Sequence, residues 1–134
     1  NAKVINALLK IKSNCDSGQF IPVQKAAVAA LNLERDYVHN IRKIYDERRE
    51  VAKNVLLEKN IKFFDTEATF YLWCRTPKNY TTNEFCEELL INHGIVVTPG
   101  NVFGKIGYDY FRIALTKDKL IIEEALKSLK KCGD

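Results

Sequence analysis

The chain has 134 residues, 46% hydrophobic and 28% charged, with a net charge of +4. Ample apolar content with so small a net charge excludes a disordered polyelectrolyte, and the length suits one domain that buries its own core. The longest unbroken apolar stretch, Ala26–Leu31, falls far short of the ~20 residues a membrane-spanning helix needs, and the near-balanced charge argues against nucleic acid as a partner.

Val4, Leu8 and Ile11 recur at helical spacing with Ile5 and Leu9 beside them, which predicts a helix over Asn1–Lys12. It opens without a recognisable cap, as though cut from a longer chain. Ser13–Gln19 (SNCDSGQ) is rich in turn formers and predicts a loop. Within it, Asn14, Asp16 and Ser17 either cap the next helix or meet a ligand, and capping is the favoured use. Pro22 suits a first helical turn, and Gln24–Leu31 (QKAAVAAL) predicts a helix of small side chains.

Glu34–Lys59 predicts a long amphipathic helix of about 39 Å at 1.5 Å per residue. Val38, Ile41, Tyr45, Ala52, Val55 and Leu56 mark its apolar side. Over Glu34–Lys53 six cations interleave with five anions, the pattern of a solvated face.

Ala68–Cys74 (ATFYLWC) predicts a strand covered on both faces and ended by Pro77. Thr81 followed by Glu84 matches a capping box. Thr81–His93 is therefore predicted as a helix, with Phe85, Leu89 and Leu90 inward and Gly94 as its left-handed cap. Ile95–Thr98 predicts a short strand, Pro99–Gly100 a turn, and Gly104 with Gly107 a tight loop. Tyr108–Leu115 (YDYFRIAL) predicts another strand. Asp118–Lys131 predicts a closing helix with Ile121, Ile122, Ala125, Leu126 and Leu129 packed inward. This order predicts an α/β fold, a two-layer sandwich with helices on one face of a small sheet.

The four cysteines, Cys15, Cys74, Cys86 and Cys132, form no CxxC pair, and His39 and His93 are isolated. These spacings do not suit structural zinc; reduced thiols in a cytoplasmic protein are the simpler reading. No Ser–His–Asp set and no phosphate-binding glycine motif is present.

Arg112 stands out. Strand alternation puts Phe111, Ile113 and Leu115 on one face and Tyr108, Tyr110, Arg112 and Ala114 on the other. A guanidinium among aromatics on a central strand needs an anion, and its planar fork suits a carboxylate. No acidic residue stands two positions away on that face. The anion is therefore a distant carboxylate of the fold, unless the group is simply exposed, or else a ligand's carboxylate. Thr98–Gly104 (TPGNVFG), which joins turns to an aromatic expected to be buried, is either a second loop facing a substrate or a plain connector, and spacing alone favours neither.

The segments Lys12–Gln24 (KSNCDSGQFIPVQ), Tyr45–Arg49 (YDERR), Ala68–Trp73 (ATFYLW), Val96–Gly104 (VVTPGNVFG) and Gly107–Leu115 (GYDYFRIAL) together resemble the C-terminal part of class I/II, fold-type I aminotransferases. The resemblance implies a small, mostly antiparallel sheet with helices on one face, preceded by large-domain helices and a long linking helix. Residues 1–33 would belong to the large domain, 34–60 to the linking helix and 61–134 to the C-terminal small domain. It implies pyridoxal 5'-phosphate as cofactor, a homodimeric parent, and amino-group transfer between an amino acid and a 2-oxo acid. LL-2,6-diaminopimelate and 2-oxoglutarate are the expected pair, with an aspartate-type donor as the alternative. Arg112 matches the arginine that grips the substrate α-carboxylate. Asn14 and Ser17 match a loop near the dimer interface and the neighbouring active site. None of the fifteen lysines stands in the family's cofactor-lysine motif. The chain therefore reads as a fragment, inactive by itself. The competing reading is a non-catalytic binding module on the same fold.

Overall fold

The computed structural model of the chain describes residues 1–16 and 18–130. They divide into two units, Asn1–His39 and Asn40–Asp134.

In the first unit α1 spans Ala2–Cys15. Contrary to the uncapped start expected, Asn1 is its N-cap, and the Asn1 side chain accepts a hydrogen bond from the Lys3 amide at 3.0 Å. The helix also runs through Ser13, Asn14 and Cys15, where a loop was predicted. Ser13 Oγ and Asn14 Nδ2 donate back to the Lys10 carbonyl at 3.1 and 2.7 Å, a local pairing that lets turn-forming residues sit in a last helical turn. The second helix, α2, spans Ile21–Leu31 with Pro22 in its first turn. Its N-cap is Phe20, which makes no side-chain cap bond, so the capping role expected of Asn14 and Asp16 is not the one they fill. Asp16 instead pairs with Lys12 at 2.6 Å. Ser17 and Cys132 lie outside the described residues.

The long helix α3 spans Arg35–Glu58, 24 residues and about 36 Å. Only its later half has a buried stripe, Ala52, Val55 and Leu56; Val38 and Ile41 are exposed. Asn60, at φ 61°, turns the chain at the helix end.

The sheet belongs to the second unit. It comprises β1 (Phe63–Phe64), β2 (Tyr71–Arg75), β3 (Thr98–Pro99) and β4 (Tyr110–Ala114). The order is β1-β2-β4-β3 with every pair antiparallel. Strand β1 was not anticipated. Strand β2 begins three residues later than expected because Thr69 adopts φ 68°, a conformation strands do not hold. Its hydroxyl accepts from the Tyr71 amide at 2.8 Å. The predicted strand Ile95–Thr98 shrinks to β3.

Leu72, Cys74, Phe111 and Ile113 project from one face of the sheet. They form a single core with Ala52, Val55 and Leu56 of α3, Phe85 and Leu89 of α4 (Thr82–His93), and Ile122 and Leu126 of α5 (Lys119–Lys127). All three helices thus cover one face of an antiparallel sheet, the two-layer arrangement expected. The capping box is present: Thr81 Oγ1 accepts from the Glu84 amide, and Glu84 Oε2 accepts from the Thr81 amide at 2.9 Å. Gly94 ends α4 in the left-handed conformation. Leu90 and Ile121, expected inside, are each 53% exposed, because each lies beside rather than on the stripe its helix turns to the sheet.

Polar ties close the layer. Arg48 donates to the Leu115 carbonyl at 3.2 Å and pairs with Asp118 at 2.9 Å, while Lys119 pairs with Glu47 at 2.9 Å. Lys59 donates to the carbonyls of Lys127, at 2.7 Å, and Leu129, satisfying acceptors that a helix C-terminus leaves open.

Candidate functional site

The sheet face turned away from the helices is built by the other half of the alternation. Arg112 sits opposite Trp73 on β2 and Thr98 on β3, in the middle of the sheet and on the face opposite Phe111. It is half-covered. Its guanidinium carbon lies 4.0 Å from the Tyr71 ring centre and 4.7 Å from that of Phe103. Trp73 stacks on Tyr110 at 5.8 Å and meets Phe103 edge-on at 5.6 Å. Phe64 packs on Tyr110 at 5.7 Å.

Among the described residues, no carboxylate pairs with Arg112. Its Nε is buried with no hydrogen-bond partner. The two bland fates for this side chain, an internal ion pair or free exposure, are therefore not what the fold displays. Ring faces attract a cation through their quadrupole, but they accept no conventional hydrogen bond and carry no net charge. The result is a guanidinium set against two rings with no carboxylate partner among the described residues, and its planar fork suits a planar acid.

The TPGNVFG loop contains the short 3-10 turn Gly100–Phe103, and a second, Lys105–Gly107, follows it. Gly100 and Gly107 are buried against each other, and a Cβ on either would strike the other's carbonyl oxygen. Glycine is needed here for close backbone approach. Asn101 donates to Asn83 at 3.2 Å. Phe103, expected to be buried, is 53% exposed; its ring meets Arg112 and Trp73 rather than a core.

Sequence reasoning missed Arg49. It was grouped with the solvated charges of α3, yet it is 7% exposed. It donates to Thr66 O (2.7 Å), Thr66 Oγ1 (3.2 Å) and Ala68 O (3.3 Å), and also to Thr69 O. These bonds clamp the segment that leads into Tyr71. Charge interleaving gives no sign of this; the only signal was the place of Arg49 in the YDERR segment.

Asn14 lies exposed in the first unit and bonds to its own helix. The nucleophile candidates are unremarkable. Burial pushes the Cys74 and Cys86 thiols up from their ordinary value, and Cys15 is exposed. His93 meets Ser128 Oγ at 3.0 Å and lies 3.7 Å from Glu88.

These residues do not by themselves fit pyridoxal phosphate. Among the described residues, no lysine stands in the strands that build the aromatic sheet face. Among the described residues, the two partly covered lysines, Lys53 and Lys59, are engaged with Asp65 and Glu50 and with the end of α5. No described helix is long and apolar enough to cross a membrane.

The fold corresponds to one protein family. The profile of aminotransferase class I and II matches residues 1–129, and the chain belongs to that family. It is similar to the LL-diaminopimelate aminotransferase of Maridesulfovibrio salexigens, 44% identical over 131 residues that cover 98% of this chain and 34% of that protein. The enzyme of the same name from Aquifex aeolicus is 42% identical, over 97% of this chain and 34% of its own length. The chain thus spans about a third of the length of these curated relatives. Among solved structures, BacF of Bacillus subtilis superposes with a TM-score of 0.83 at 29% identity, covering 94% of this chain and 33% of that one. An aminotransferase from Staphylococcus aureus gives 0.82 at 31% identity, over 91% of this chain and 32% of its own.

Proposed function

We propose that this chain supplies the substrate-carboxylate grip of a pyridoxal-phosphate-dependent aminotransferase. The observation that carries the reading is Arg112, a guanidinium held by aromatic rings with no carboxylate of the described residues to neutralise it. Its fork binds the α-carboxylate through two parallel hydrogen bonds and so fixes the orientation of the substrate. The aromatic wall of Trp73, Tyr110 and Phe103 shields the ion pair from water, which strengthens it.

In this reading residues 1–33 belong to the large domain, 34–60 form a linking helix and 61–134 form the small domain. The lysine that anchors the cofactor lies in the remaining two thirds of the polypeptide, and this segment alone is inactive. The parent works as a homodimer, with Asn14 near the neighbouring active site. The names of the relatives support LL-2,6-diaminopimelate as amino donor; in this reading 2-oxoglutarate is the acceptor.

Arg112→Lys in the complete, cofactor-loaded enzyme tests the proposal. An ammonium cannot reproduce the bidentate fork, so kcat/KM should fall about 10- to 100-fold, the worth of one charge-assisted hydrogen bond. The fall should appear with both donor and acceptor, because both carry the same carboxylate. Unchanged kinetics would overturn the assignment. A donor panel of LL-diaminopimelate, aspartate and glutamate separates the diaminopimelate reading from the aspartate-type one.

A further inference from the structure

The sheet face assigns a role to two further side chains. We propose that Tyr71 and Phe103 are positioning residues: their rings hold the Arg112 guanidinium in place without neutralising it. This rests on the reading of Arg112 as the carboxylate grip.

An arginine side chain has several rotatable bonds, and fixing it costs rotamer entropy. Proteins commonly fix such a group with a carboxylate, which would here compete with the substrate for the same N–H donors. The ring contacts at 4.0 and 4.7 Å avoid that competition, because attraction to a ring leaves the in-plane N–H groups unused.

Each ring is anchored by a different device. Tyr71 begins β2 directly after the segment whose carbonyls Arg49 clamps, and its amide bonds to Thr69 Oγ1. Phe103 ends the 3-10 turn that is locked by the backbone contact of Gly100 with Gly107. The two rings therefore approach from separate parts of the chain and converge on one cation. Tyr71 and Phe103 are only partly covered, so neither is held there by the demands of the core.

The test uses the complete, cofactor-loaded enzyme, with Arg112→Lys measured in parallel. Phe103→Leu and Tyr71→Leu keep apolar bulk and remove the ring. Each should raise KM for both amino donor and 2-oxo acid about tenfold, within the range of a partly desolvated cation–ring contact. The change in kcat should be smaller, and the cofactor absorbance should not move. Phe103→Tyr and Tyr71→Phe, which restore a ring, should recover most of the loss. A purely structural role would instead shift the thermal midpoint and kcat together, would leave the two substrates unequally affected, and would overturn the proposal. If Arg112→Lys is impaired while both leucine variants keep wild-type KM, the positioning role falls and the carboxylate grip stands. If Arg112→Lys is itself unimpaired, both fall.

Discussion

The two units of this chain use the same kind of sequence pattern to different ends. In Asn1–His39, Val4, Leu8 and Ile11 recur at helical spacing, yet no residue of α1 or α2 is buried. In Asn40–Asp134, comparable stripes on α3, α4 and α5 close over Leu72, Cys74, Phe111 and Ile113 into one core. Periodicity selects which side of a helix is apolar. Burial needs an apolar partner as well, and in the second unit the sheet provides it.

Substitutions sharpen that contrast. The largest effect is expected at Phe111, fully buried where the helices meet the sheet. Phe111→Ala should cost about 3–5 kcal/mol, read as a shift in the denaturant midpoint. Leu8→Ala, at a position 60% exposed, should stay within about 0.5 kcal/mol. Equal losses at the two sites would contradict the division. Next comes Arg49→Ala, which strands carbonyls of Thr66, Ala68 and Thr69. About 3 kcal/mol is expected from acceptors left unsatisfied, with faster amide exchange at the start of β2 as the local signature.

The smallest effect concerns pH. Hydrogen bonds from the Thr81 side chain and backbone hold the Glu84 carboxylate below its ordinary 4.5. A depressed folded-state value means that this stabilisation is present above pH 4.5 and is lost as pH falls through the lower folded value. Glu84→Gln should therefore flatten the acid limb by lowering stability slightly in the neutral region and leaving the low-pH end, where the wild-type carboxyl is protonated, nearly unchanged. An acid limb identical to wild type would show that the cap contributes nothing through charge.

Much of this architecture was legible from residue types. The capping box, Gly94, the alternation of β4 and the outward face of Arg112 all follow from local rules that tertiary packing did not override. The misses have specific causes. Strand β2 starts late because Thr69 takes a left-handed backbone conformation that its β-branched side chain does not advertise. Ser13 and Asn14 prolong α1 because their side chains find the Lys10 carbonyl, an outcome as compatible with their chemistry as a loop. Arg49 looked like any cation on a charged helix; its burial depends on carbonyls 17 to 20 residues further along the chain. The rings on Arg112 were equally hidden. Tyr71 is a diagonal neighbour across the sheet, and Phe103 arrives from a loop whose path is dictated by two glycines in contact.

The outermost strands, β1 and β3, are only two residues long, and one of the four residues is Pro99. Extended margins invite foreign chains to add themselves to a sheet, and truncation with proline is a known deterrent. The aromatic surface that carries Arg112 is thus bordered by ladders too brief to zip onto, so it can stay uncovered without recruiting aggregation along its rims.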